Sequence, residues 1–60
     1  MTIAEALEWA VRRLQEASDS PRLDAEVLLA HALGTARSHL YAWPERELDA
    51  AAAQRAEALI

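Results

Sequence analysis

Ser20-Pro21-Arg22-Leu23-Asp24-Ala25-Glu26-Val27-Leu28-Leu29-Ala30-His31-Ala32-Leu33-Gly34 is a helix with its own start and stop written into it. Ser20 can cap the N-terminus, Pro21 suits the first helical position, and Gly34 can take the left-handed conformation that ends a helix. Between these marks, Val27 to Leu33 is apolar on nearly every side except His31. A helix of that kind is ordinarily surrounded by other elements. The expectation is a small all-α domain built around this central rod.

The flanking segments supply the surrounding helices. Thr2-Ile3-Ala4-Glu5 has the form of a capping box. Ile3, Leu7, Ala10, Val11 and Leu14 then recur at helical spacing, predicting a first helix that ends near Ala17. After Gly34, Thr35 or Ser38 can begin a short third helix that Pro44 closes, with Ala36, Leu40 and Trp43 on one face. Pro44 to Glu47 reads as a polar connection. Asp49 is placed to cap a fourth helix through Ile60, with Leu48 as its staple residue. The predicted fold is a bundle of four short helices, residues 1–60 forming one domain. Leu48, Ala52, Ala56, Leu59 and Ile60 give the fourth helix an apolar face that runs to the last residue. This suggests a piece of a longer protein.

Composition narrows the function. Sixty residues bury a limited core, good for a stability of about 3–5 kcal/mol. There is no cysteine, hence no disulfide and no thiolate metal site. The net charge is −4, and the six basic residues are scattered arginines. No basic stripe exists to neutralise phosphates, which disfavours nucleic-acid binding and a helix-turn-helix reading. No apolar stretch approaches membrane-spanning length and no leader pattern opens the chain. A cytoplasmic, monomeric protein is expected.

Candidate chemistry is sparse. One glycine cannot build a nucleotide or S-adenosylmethionine loop, and there is no nucleophile elbow. Asp24 and His31 could share a helix face, but two ligands do not make a zinc site. His31 reads as a partly buried residue near a helix C-terminus, and His39 as a surface residue. The acidic pairs Asp24/Glu26 and Glu45/Glu47 do not read as paired catalytic carboxylates, because neighbours two apart on a helix do not face each other and those in the loop read as solvated. No catalytic, cofactor-binding or metal-ligating residue is assigned. Four residues are candidate partner contacts. Trp9 lies off the apolar stripe with Arg13 one turn later, either a shielded surface pair or a contact point. Arg37 and Tyr41 form a second such pair on the third helix. Trp43 reads as a core anchor beside Leu40.

Two stretches carry a resemblance, Ser20 to Gly34 and Leu40-Tyr41-Ala42-Trp43-Pro44-Glu45-Arg46-Glu47-Leu48, supported by Thr2 to Leu7 and Arg13-Leu14. In this order they resemble the N-terminal domain of the HemK/PrmC family, the N5-glutamine methyltransferases that modify peptide chain release factors. The resemblance implies a small helical bundle, with a possible fifth helix in the full domain. A linker and an S-adenosylmethionine-dependent catalytic domain would follow it. That domain would methylate the glutamine of the Gly-Gly-Gln loop of class-I release factors in translation termination. The catalytic Asn-Pro-Pro-Tyr signature and the cofactor loop do not occur here, so no catalytic role transfers to any position. The implied role is recognition and positioning of the release factor. The alternative is a purely structural module that stabilises an adjoining domain.

Overall fold

Thr2 opens the first helix through a reciprocal cap. Glu5 N–H donates to Thr2 Oγ1 at 3.1 Å, and Thr2 N–H donates to Glu5 Oε1 at 2.7 Å. A computed structural model describes every residue, Met1–Ile60. It contains α1 (Ile3–Leu14), α2 (Pro21–Leu33), α3 (Arg37–Ala42) and α4 (Ala50–Leu59), an all-α bundle. α1 buries Ile3, Ala6, Leu7 and Ala10, while Val11 and Leu14 are only partly covered. It ends at Leu14, earlier than expected. The Leu14 carbonyl accepts from both Ala17 and Ser18 N–H, closing the chain into a turn there.

α2 packs against all three other helices, as a central rod should. Ala25, Leu29, Ala30 and Ala32 are buried, and Leu29 is among the largest fully enclosed side chains. The small alanines let neighbouring backbones come close around it. Gly34 stops the helix as its sequence position requires. It adopts φ +70°, its N–H donates to the His31 carbonyl, and Thr35 N–H reaches back to the Ala30 carbonyl.

The sequence reading of α2 needs two corrections. Val27 and Leu23 are about half exposed, so the rod is not enclosed all round. Three neighbours, one of them six residues long, cover three sides and leave the fourth to solvent. Ser20 occupies the cap position, but its hydroxyl makes no cap hydrogen bond. Ser18 takes over instead. Its hydroxyl donates to the Asp24 carboxylate and accepts from Ser20 N–H at 3.0 Å, pinning the loop to the first turn of α2.

α3 starts at Arg37, with Ala36 rather than Thr35 or Ser38 at its cap, and its side chain gives no cap bond. Leu40 alone enters the core; Ala36 and Trp43 do not share its burial. Trp43 is therefore not a core anchor. It leaves the helix one residue before Pro44, and its half-exposed ring lies under the Arg46 guanidinium at 5.1 Å. The histidines also differ from expectation: His31 is exposed and His39 is partly buried.

The segment after Pro44 does more than connect. Ala4 N–H donates to the Pro44 carbonyl, Ile3 N–H to the Arg46 carbonyl and Leu48 N–H to the Met1 carbonyl, each at 2.9 Å. Thr2 and Glu47 form an isolated antiparallel bridge, and the terminal amine meets Glu47 at 3.0 Å. This pairing satisfies the first amides of α1, which have no partner within the helix. Asp49 then caps α4 as expected, accepting from Ala52 N–H at 2.7 Å. Ala52 and Ala56 pack inward, whereas Leu59 is largely open.

Candidate recognition surface

Glu26 is the buried charge of this molecule, with only 4% of its surface exposed. A carboxylate so placed must be paired and hydrogen-bonded. Arg22, one turn earlier on α2, donates from Nε to Glu26 Oε2 at 2.9 Å. From α3, Arg37 Nη2 donates to Oε1 at 3.0 Å, and the Tyr41 hydroxyl donates to the same oxygen. The Tyr41 hydroxyl and the Arg22 guanidinium, helped by Arg37 and opposed by burial, lower the Glu26 carboxyl to about 2. Glu26 in turn holds the Arg37 guanidinium more firmly protonated.

Glu26 is thus not a solvated acid, and it is not paired with Asp24. Their side chains diverge, Asp24 turning to Ser18. One sequence signal pointed here. Arg37 and Tyr41 are spaced i, i+4, as are Arg22 and Glu26, so each pair shares a helix face. Which acid they would meet depends on the α2–α3 packing, which no local spacing encodes.

Of the four candidate contacts, the structure brings Arg37 and Tyr41 together on Glu26. Trp9 and Arg13 form a separate pair on α1, the guanidinium 5.4 Å from the ring centroid. No hydrogen bond, ion pair or cation–π contact joins one pair to the other. Trp9 is partly buried against the core, so Arg13 covers a ring already seated on the bundle.

The uncovered side of α2 forms an open apolar groove. Leu23, Val27 and Leu28 line it with Leu14 of α1, and Asp24 and Arg37 stand beside them. Leu23 and Val27 are one turn apart and make a ridge along the helix. Sequence reading missed this surface because an apolar run does not say which of its faces lacks a neighbour.

No three His, Asp or Glu side chains converge as ligands, so Asp24 and His31 gain no third partner. A cradle for S-adenosylmethionine needs backbone exposed by a glycine-rich turn after a strand. The one glycine, Gly34, ends a helix instead. No helix is long and apolar enough to cross a membrane.

Known proteins bear directly on this arrangement. A family model described as the PrmC N-terminal domain matches residues 5–60. A release factor glutamine methyltransferase of Shewanella oneidensis is 54% identical over 46 residues, covering 77% of this chain and 16% of that protein. One from Vibrio cholerae is 50% identical over 50 residues, 82% of this chain and 18% of the relative. One from Escherichia coli K12 is 43% identical over 54 residues, 90% of this chain and 19% of the relative. The chain therefore spans less than a fifth of the length of these proteins. No solved structure matches it. With α2, α3, α4 and all but the first two residues of α1 inside the matched span, the chain belongs to the family of PrmC N-terminal domains.

Proposed function

We propose that this domain recognises and positions a class-I release factor within a release factor glutamine methyltransferase. In this reading a separate catalytic part of the protein, joined by a linker, methylates the glutamine of the Gly-Gly-Gln loop. S-adenosylmethionine, bound to that other part, would supply the methyl group. The residues described above take no part in the chemistry. Their contribution is binding energy remote from the reacting amide, which holds the glutamine where it can react. The setting would be the cytoplasm and the enzyme a monomer.

The observation that carries this reading is the open groove of Leu14, Leu23, Val27 and Leu28 on a chain whose relatives are named release factor glutamine methyltransferases. Contiguous exposed apolar surface on a small stable scaffold marks a contact site. Replacing Leu23 and Val27 together by aspartate tests it. Both are half exposed, so the bundle should persist, and circular dichroism checks that. In the full-length enzyme the double variant should raise KM for the release factor and leave kcat in place. Unchanged kinetics with a folded variant would remove the groove from the account.

One observation favours the structural alternative. Arg37 and Tyr41, placed by sequence among the contacts, spend their polar groups on Glu26 inside the fold. If a Tyr41→Phe variant loses stability but keeps release-factor affinity, these two belong to the scaffold and the groove alone serves recognition.

A further inference from the structure

We infer that the α2 groove takes one amphipathic helix of the release factor, laid along α2 with a row of aliphatic side chains seated between Leu23–Val27 and Asp24–Leu28. This rests on the reading of the groove as the release-factor contact and adds the shape and chemistry of what enters it. Leu23 and Val27 form one i, i+4 row on α2, Asp24 and Leu28 form the next, and Leu14 of α1 stands beside them. A furrow between two such rows is what the ridge of a second helix fills.

Other ways of binding a polypeptide need features that this lining lacks. An extended peptide adds itself to a strand edge. The one extended pairing of this chain, Thr2 with Glu47, lies outside the groove. A strand laid on α2 would bury amides and carbonyls without partners, whereas a helix bonds its own. A proline-rich segment needs aromatic walls, and none of the lining residues is aromatic. A phosphorylated or acidic segment needs uncommitted guanidiniums. Arg37 is the only arginine in the lining, and it is paired with Glu26. Asp24, the only acid, accepts from the Ser18 hydroxyl. What the groove leaves unmatched is aliphatic surface, so the entering side chains are Leu, Ile, Val or Met.

The extent of the groove argues against a second copy of this chain. A stable pair of proteins engages about 20–30 residues a side. Six residues line this groove, and Leu23 and Val27 are only half exposed. That area matches one face of a short helix. Such a contact is weak by itself. It gains force where the same partner is also held at the catalytic part, because the second contact then forms at high effective concentration.

Photo-crosslinking tests it. The photoreactive residue p-benzoylphenylalanine is placed at Val27, and separately at Leu23, in the full-length enzyme. Both positions are half exposed, and circular dichroism checks that each labelled enzyme is folded. After irradiation with the release factor, mass spectrometry maps the joined residues. Attachment to release-factor positions three or four apart within one segment is expected, as one helix face requires. Attachment at positions two apart, or scattered over several segments, would overturn the helix and leave the groove a release-factor contact. Attachment within the enzyme, to a second copy, or nowhere from either position would overturn both readings. The chemistry has its own arm. Leu23→Ala combined with Val27→Ala should raise KM for the release factor on the order of tenfold, by the same factor at low and at high salt. A factor that shrinks as salt rises would show that charge carries the contact and would overturn the aliphatic assignment.

Discussion

Replacing Glu26 by glutamine keeps the side chain's size and removes the charge on which Arg22, Arg37 and Tyr41 converge. Its carboxyl sits at about 2 in the folded chain against an ordinary 4.5. At about 1.4 kcal/mol per pKa unit, that difference sets a ceiling of about 3 kcal/mol. Both arginine side chains remain half open to water, which screens their part of the attraction. We therefore expect the variant to lose about 2 kcal/mol near pH 7. Against a total of about 3–5 kcal/mol for a chain of this size, that is close to half the stability. At about 4–8 °C per kcal/mol for so small a domain, the melting temperature should fall by about 10 °C. The pH dependence has a definite sign. A carboxyl whose pKa is lowered on folding contributes fully above its unfolded value. That contribution fades as the pH drops from about 4.5 towards about 2. Urea or thermal unfolding of both proteins across pH 2.5–7 should show a wide gap at neutral pH that closes in acid. A variant within about 0.5 kcal/mol of the parent at pH 7, or a gap indifferent to pH, would refute the reasoning.

Other outcomes follow from single contacts. Leu29→Ala opens a cavity at the fully buried centre of α2 and should cost about 2–5 kcal/mol, enough to leave the chain largely unfolded by circular dichroism at 37 °C. Gly34→Ala meets no atom at its new Cβ, so its cost is the positive φ alone, about 1 kcal/mol by urea denaturation. Asp49→Ala removes the cap of α4 and should cost about 1 kcal/mol, with amide exchange accelerated first at Ala52.

Much of this fold is legible locally because its boundaries are set by local chemistry. The Thr2 capping box, the Asp49 cap, Pro21 and the left-handed Gly34 each act within one turn of chain, and each stands where its residue type predicts. What escaped reading depends on which distant segment arrives. Val27 and Trp43 are as apolar as Leu29 and Leu40, yet they stay half exposed because no element covers them. Glu26 resembles any other surface acid in a helix until α3 brings Arg37 and Tyr41 against it. The pairing of Met1–Ala4 with Pro44–Leu48 has no β-pattern to announce it. The candidate surface divides the same way. The pairing of Trp9 with Arg13 is intrahelical and readable, whereas the groove is defined by the absence of a fourth neighbour around α2.

The central claim is that these helices hold the release factor while another part of the protein reacts. Steady-state methylation of a release factor, by the full-length enzyme and by the same enzyme lacking this domain, tests it most directly. The account predicts a kcat/KM reduced mainly through KM, with binding of the methyl donor unchanged. Equal kcat/KM for the two proteins would contradict it.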